Sequence, residues 1–211
     1  MDYDGIYTSF IELVANGNLP MIERYLDIIE SPPRRSMFVN HGFSHAISCG
    51  HTEIVKFLLK DSQVVPHRYE NEAIRIASRC GHTDIVKILL ADSRVDPGDC
   101  GNAAIRSASE HGRVGTIRLL LADPRVDPTA CKHAIKAASK NKHKLIVELL
   151  LMKTMHFITI HDYIQIRSCV NKEIDELWIS YMLNYNLIMS AFMEQHLVID
   201  LLESMRSLIA A

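Results

Sequence analysis

Hydrophobic and polar positions along this 211-residue chain repeat with a long period. The segment NHGFSHAISCGHTEIVKFLLKDSQVVP from Asn40 returns as NEAIRIASRCGHTDIVKILLADSRVDP from Asn71 and as NAAIRSASEHGRVGTIRLLLADPRVDP from Asn102. A shorter copy, KHAIKAASKNKHKLIVELLL, starts at Lys132, so the successive periods are 31, 31 and 30 residues. A fixed period of this size is typical of a repeat array in which each copy forms one small structural unit.

Each copy predicts two short helices joined by a tight turn. In the copy from Asn71, the residues Ala73, Ile74 and Ala77 are spaced to share one helical face. Asn71 precedes this stretch, and asparagine is a preferred N-cap residue, so we expect it to cap the first helix. Gly81 follows the stretch and supplies the left-handed backbone conformation that commonly ends a helix.

The second predicted helix opens at Thr83 and Asp84 and carries a buried stripe of isoleucine, valine and leucine. It stops near Asp92, and the equivalent stop one period later is followed by Pro124, which cannot continue a helix. The residues after each stop mix one apolar valine with turn formers, which predicts an extended or hairpin-like loop. The unit is therefore helix, turn, helix and long loop.

These patterns resemble the ankyrin repeat. The resemblance is carried by the segments GHTEIVKFLL and GHTDIVKILL, by the valine-containing loop, and by alanines and glycines in register. It covers residues 40–153, and residues 10–27 are similar to a degenerate leading unit whose turn glycine is Gly17. The family's usual "TPLH" opening is absent, and each copy is two or three residues shorter than the common unit of about 33 residues. Short arrays of this "RVDP" type resemble those of large DNA viruses and single-celled hosts.

The resemblance implies an all-α solenoid of five or six helix-turn-helix units joined by hairpin-like loops, with a helical C-terminal cap. Ser31-Pro32-Pro33 is expected to break helices and to produce a longer loop within residues 28–39. Residues 159–184 have the spacing of a worn fifth repeat, and the pattern over residues 187–209 predicts a closing helix. The expected domains are a degenerate N-terminal repeat or cap with a linker (1–39), ankyrin repeats (40–154, with units at about 40–70, 71–101, 102–131 and 132–154), and a degenerate repeat with capping helices (155–211).

The repeat also predicts the core. Apolar residues that recur at one place in the first helix or at one place in the second helix of successive units are expected to fill the space between helices. They are Ile74, Ile105, Ile135, Leu89, Leu120 and Leu150.

Composition narrows the class of protein. The chain is 48% hydrophobic and 7% aromatic with a net charge of −2, which disfavours both intrinsic disorder and a strongly basic nucleic-acid binder. No apolar run approaches the roughly 18–20 residues that cross a bilayer, and the first residues, MDYDGIYTSF, are acidic where a signal peptide is basic. We therefore expect an intracellular protein, in the cytoplasm or a host cytoplasm, with a nuclear location also open.

The charge is unevenly divided. Residues 40–153 contain 17 Lys+Arg and 12 Asp+Glu, so their net charge is +5, against −7 for the remainder. Arg75, Arg106 and Lys136 occupy equivalent places in three consecutive units, so stacking should align them in a row. The row is either a surface for an acidic or phosphorylated partner segment, or a set of side chains that bond neighbouring loops and acids such as Glu72.

Cysteine and histidine suggest no chemistry. Cys49 and Cys80 are 31 residues apart, and so are Cys100 and Cys131. Stacked helices lie about 8–10 Å apart, beyond the roughly 7 Å limit between Cα atoms of a disulfide, so bonds within these pairs are disfavoured. No spacing typical of a zinc site, phosphate loop or nucleophile elbow occurs, so we predict no metal, no cofactor and no enzyme.

Three histidines recur directly after the turn position, which predicts a structural role. His51, His82 and His143 occupy this place in their units, and Arg113 fills it in the remaining unit. A residue that recurs with the fold is expected to hold the turn or the start of the second helix.

The resemblance implies binding of a protein partner through the concave face and the loop tips. The function expected is non-catalytic protein-protein interaction, by a monomer, with no nucleic acid and no membrane as partner. An adaptor, in which residues 155–211 recruit a second protein such as a ubiquitin ligase component, is the alternative. Carried over unit by unit, the expected contact residues are Arg68, Tyr69, Glu70, Arg75, Arg79, Asp99, Arg106, Glu110, His111, Lys132, Lys136 and Lys140. Tyr69 is either an anchor for the partner or a ring that packs over the neighbouring loop.

Overall fold

A computed structural model describes residues 3–29, 31–154, 172–174, 176–181 and 183, and every regular element in these ranges is helical. The helices are α1 (Tyr3–Ala15), α2 (Leu19–Ile28), α3 (Pro32–Cys49), α4 (Thr52–Leu59), α5 (Arg68–Cys80), α6 (Thr83–Ala91), α7 (Asp99–Glu110), α8 (Val114–Ala122), α9 (Lys132–Lys140) and α10 (Lys144–Thr154), with a short 3-10 helix at Pro128–Cys131.

The helices form consecutive pairs, α1 with α2 through α9 with α10, and each pair is one unit of a stack. Odd-numbered helices pack on odd-numbered helices, and even-numbered helices pack on even-numbered ones. The odd helices, the first helices of their units, make the more extensive contacts with one another, and theirs is the side that the resemblance implies is concave. Alanines in register at this contact allow the close approach, and Ala46, Ala77, Ala108 and Ala138 are fully buried. The predicted all-α solenoid is confirmed.

One hydrophobic core runs through the whole stack. The isoleucines and leucines predicted from the repeat are each at most 1% exposed, which confirms them as core residues. The core extends at one end to Phe10 and at the other to Ile174 and Trp178, both fully buried. Residues 172–174 and 176–181 therefore pack onto the end of the array. The predicted closing helix over residues 187–209 lies outside the described residues.

The predicted loop within residues 28–39 is wrong. Helix α3 begins at Pro32, directly after Ser31, and continues for 18 residues. Proline is tolerated in the first turn of a helix because the amide hydrogen that it lacks has no partner within the helix. The Ser-Pro-Pro sequence therefore starts a helix here, and only a short connection separates α2 from α3.

The turn between the helices of each unit is interlocked with the next unit. Gly17, Gly50, Gly81 and Gly112 have φ between 71° and 82°. A histidine or arginine side chain of the following unit fills the space that a Cβ atom on each glycine would occupy. The Lys142 that replaces glycine in the last unit also has a positive φ, of 61°.

The same side chains donate hydrogen bonds back to the preceding unit. Nε2 of His51 lies 2.8 Å from the carbonyl oxygen of Ala15, and Nε2 of His82 lies 3.2 Å from that of Ser48. His143 repeats the contact on the Glu110 carbonyl, and Arg113 uses Nε in its place. The predicted structural role of these histidines is confirmed.

Asn71 does not act as the predicted N-cap. Its Oδ1 accepts the amide hydrogen of Asp96 at 2.9 Å, and its Nδ2 donates to Oδ2 of Asp99 at 2.7 Å. Its own backbone has a left-handed φ of 55°, as do the two residues before it. The buried amide therefore holds the unit's closing loop against its first helix, and Asn40 and Asn102 make equivalent bonds to Val65 and Asp127.

An arginine in each of two closing loops joins two units. The guanidinium of Arg94 is held bidentately by Asp92 and donates to the carbonyl oxygens of Val64 and Leu59 in the preceding unit, at 3.1 and 3.3 Å. One period later, Arg125 and Asp123 repeat the arrangement. The hydrogen bond from Arg94 is the largest cause that lowers the pKa of Asp92.

Replacing Gly50 with alanine should destabilise the array more than the same change at Gly101. Both residues have a left-handed φ, which costs an alanine about 1–2 kcal/mol. At Gly50 the new Cβ would also lie 2.7 Å from Cε1 of His82, whereas nothing lies within 4 Å at Gly101. We expect the additional loss at Gly50 to be about 1–3 kcal/mol in the free energy of unfolding, measured by urea denaturation. Equal losses would show that the histidine does not fill this space.

The Arg94→Ala variant should lose about 1–3 kcal/mol of unfolding free energy, because two carbonyl groups and the Asp92 carboxylate lose their donor. Arg94→Lys should recover only part of this loss, since an ammonium group lacks the planar fork. The exposed Arg118 provides the matched control, and its change to alanine should alter stability by less than about 0.5 kcal/mol. A loss at Arg94 no larger than at Arg118 would contradict the role assigned to this guanidinium.

Candidate functional site

The concave side of the array carries a row of cations. Arg75 lies on α5, Arg106 on α7 and Lys136 on α9, at equivalent places in units that pack consecutively. Arg75 is half-buried, and the other two are exposed. Because packed helices are spaced by about 8–10 Å, the three charges form a line of that repeat. We call these three residues the basic row.

No carboxylate among the described residues lies within 4.0 Å of a charged nitrogen of the basic row. A second row at the same period lies on the even-numbered helices, and we call it the outer row: Lys56, Lys87 and Arg118. Lys56 pairs with Glu53 at 2.7 Å and Lys87 pairs with Asp84 at 3.6 Å. The two rows match in charge and spacing. They differ because two cations of the outer row form ion pairs with neighbouring acids.

This contrast bears on the two interpretations of the basic row. Glu72 was the neighbouring acid expected to pair with it, and its carboxylate is not among the ion pairs of the described residues. The charges of Arg106 and Lys136 are therefore available to a group outside the described part of the chain. Arg75 is less isolated, since its charge acts on the nearby Asp99.

A parallel row lies one helical turn further along the same helices. It consists of Arg79, Glu110 and Lys140, all exposed, with alternating charge. His111 is the C-cap residue of α7, and its Nδ1 contacts the carbonyl oxygen of Ser107 at 3.0 Å. The concave face is therefore basic along one row and of mixed sign along the next.

The first turn of α5, which has left-handed backbone at Tyr69, Glu70 and Asn71, places an aromatic ring beside the concave face. Tyr69 is 62% exposed, and the Arg68 guanidinium lies 4.7 Å from the centre of its ring. Next to it, Val65 is 38% exposed, and these residues border a shallow depression that Phe43 and Ser44 help to line. An apolar patch thus adjoins the end of the basic row. We call the exposed Val65 and Tyr69 side chains the apolar shelf.

Two of the predicted contact residues are engaged within the chain. Oδ2 of Asp99 accepts the bond from Asn71, and its Oδ1 accepts the backbone amide of Cys100 at 2.7 Å. These two bonds, with the Asn71 bond first, lower the pKa of the Asp99 carboxyl group. Glu70 accepts a hydrogen bond from the Cys100 thiol at 2.9 Å. Both acids therefore stabilise the loop tips of neighbouring units.

The remaining predicted residue, Lys132, is exposed at the start of α9. Val65 was missed by the sequence reasoning, although a signal was present. It stands where the next two units carry Asp96 and Asp127, so a charged loop position is apolar in this unit alone.

The described residues offer no grouping of three His, Cys, Asp or Glu side chains suited to a metal ion. Burial raises the pKa of the Cys131 thiol to about 11, which removes the thiolate that a nucleophile requires. Within the same residues, no helix is both long and apolar enough to cross a membrane.

Comparison with known proteins agrees with this architecture. The family model described as ankyrin repeats (3 copies) matches residues 10–99 and residues 75–162. A search of curated proteins found no match to the chain. Members of the matched family generally act in protein-protein interaction and are typically non-catalytic. The match spans well over half of the chain and the stacked helix pairs agree with it, so the protein belongs to the ankyrin repeat family.

Proposed function

We propose that this protein is a non-catalytic binding module that takes an acidic segment of a partner protein on its concave face. The observation that carries the proposal is the basic row, whose charged groups lie beyond 4.0 Å from every described carboxylate. Three like charges held on neighbouring units, none of them within 4.0 Å of a described carboxylate, favour a ligand of the opposite charge.

The rigidity of the array supports this role. The basic row is mounted on α5, α7 and α9, whose buried faces are fixed by the continuous core and by the bonds between units. Little backbone ordering is therefore needed when a partner binds, and this lowers the entropic cost of association.

The expected contribution of the row is moderate. An exposed ion pair contributes about 0.2–1 kcal/mol, so three pairs contribute about 0.6–3 kcal/mol. This corresponds to roughly 3- to 150-fold in affinity, enough to select acidic segments while leaving most of the binding energy to other contacts. The contribution should also fall with salt, because such pairs are screened over a Debye length of about 10 Å at 0.1 M ionic strength.

A protein segment fits the surface better than nucleic acid does. The concave face also carries Glu110 and Glu72. A nucleic-acid backbone has a phosphate at every nucleotide and would meet both acids as it followed the row, whereas a protein segment can place its carboxylates only opposite the cations. Monomeric action and an intracellular location belong to the same proposal, and the cysteine spacing supports a reducing compartment.

No described contact favours the adaptor alternative. Ile174 and Trp178 are fully buried in the core of the array, and Lys144 of α10 lies 3.7 Å from Glu173. These contacts support a capping role for the described residues between 172 and 183. The other residues that the adaptor would use lie outside the described part of the chain.

Charge reversal tests the proposal with an internal control. The triple variant R75E, R106E and K136E reverses the basic row, and K56E, K87E and R118E makes the same change in net charge on the outer row. Peptides selected from a random display library against the wild-type chain should be enriched in Asp and Glu. Their Kd should rise roughly 3- to 150-fold in the first variant and less than about twofold in the second.

Circular dichroism and the Tm of both variants establish that the fold is retained. The proposal fails if the selected peptides are neutral or basic, or if the two triple variants lose affinity equally. It also fails if a 20-nucleotide single strand binds the wild-type chain more tightly than the selected peptides do, since the row would then serve a different class of ligand.

A further inference from the structure

We infer that the acidic segment lies along the basic row as a polyproline II helix, with a carboxylate at every third residue and an apolar residue three positions beyond the outermost carboxylate. This inference rests on the proposed function and specifies the partner's pattern. Its basis is the match between the spacing of the units and the repeat of an extended chain.

The spacing argument compares the possible conformations of the segment. Stacked helices repeat every 8–10 Å or so, which is therefore the expected interval between basic-row charges. A polyproline II helix has three residues per turn and rises about 3.1 Å per residue, so every third side chain returns to the same face after about 9.3 Å. One turn of the ligand therefore matches one unit of the array.

Other regular conformations do not match. A β-strand returns a side chain to the same face after two or four residues, which is about 6.7 or 13 Å. An α-helix returns after seven residues, about 10.5 Å, and this overshoot accumulates over successive units. Over three steps the α-helix advances about 31 Å against 24–30 Å for the array, whereas the polyproline II helix advances about 28 Å.

The structure also defines which end of the row is apolar. Ser44 on α3 occupies the place equivalent to Arg75, so the row has no charge in that unit. At that position the apolar shelf borders the depression beside Ser44. When three carboxylates of the ligand lie opposite Arg75, Arg106 and Lys136, the side chain three residues beyond the carboxylate at Arg75 lies beside the apolar shelf. An apolar side chain gains contact area there.

Two proline-rich peptides of identical composition test the register. LPPEPPEPPE places glutamates three residues apart, and LPEPEPEPPP places them two apart, while both favour the same conformation. The reversed sequences EPPEPPEPPL and PPPEPEPEPL cover the opposite chain direction. Fluorescence anisotropy at low salt should show that the better of the two three-residue peptides binds at least about twofold more tightly than either two-residue peptide.

A double-mutant cycle tests the individual pairing. In the Arg106→Gln variant the Kd of the better three-residue peptide should rise, and replacing that peptide's middle glutamate with glutamine should then have little further effect. The Tyr69→Ala change in the protein should weaken binding of this peptide, but it should not weaken binding of a peptide in which alanine replaces the leucine. Gln at position 106 keeps the side chain exposed, so folding is expected to be unaffected.

Three results overturn the register while leaving the proposed function intact. The first is equal affinity for both glutamate spacings, with both peptides losing affinity in the R75E, R106E and K136E variant. The second is tighter binding of a helical peptide with glutamates seven residues apart, and the third is the absence of coupling between residue 106 and the middle glutamate of the peptide. Absence of binding by both three-residue peptides also overturns it. The proposed function itself stands or falls separately, by the composition of the library-selected peptides and their response to the two triple variants.

Discussion

The fold depends on contact between consecutive units, because no helix pair here is large enough to bury its own apolar face. Each junction is an interlock in which the turn glycine of one unit leaves a space that a side chain of the next unit fills. His82 at Gly50 and Arg113 at Gly81 show that two different side chains satisfy the same constraint. What the junction requires is a side chain that fills this space and carries an N–H group within reach of a backbone carbonyl, and histidine and arginine both provide one.

Most of the fold followed from the sequence, because the features that define it are local or periodic. Ala77, Gly81 and Leu89 have the burial or backbone conformation that their spacing predicted. The roles of Asn71 and Arg94 could not be predicted in this way. Their partners lie 25 to 35 residues away, so the bonds exist only once a closing loop has folded back on its own first helix or two units have stacked.

The position of the candidate site could be predicted from the sequence, but which of its charged side chains are paired could not. The alignment of Arg75, Arg106 and Lys136 follows from the period, whereas the presence or absence of a neighbouring acid depends on rotamers and packing. The outer row makes this plain, since Lys56 and Lys87 recur as regularly yet find partners one helical turn away. Asp99, which looked like an exposed loop acid, is drawn into a bond with Asn71 in the preceding unit.

The arginine junctions have a consequence for how such an array changes length during evolution. Arg94 and Arg125 donate hydrogen bonds to carbonyl groups at equivalent places in the units before them. The surfaces on either side of residues 71–101 are therefore interchangeable. Loss or duplication of that unit would join surfaces that already fit. The first junction differs, because Arg35 reaches Asp61 and the Leu26 carbonyl from the start of a helix instead. Growth is therefore easier in the middle of this array than at its N-terminal end.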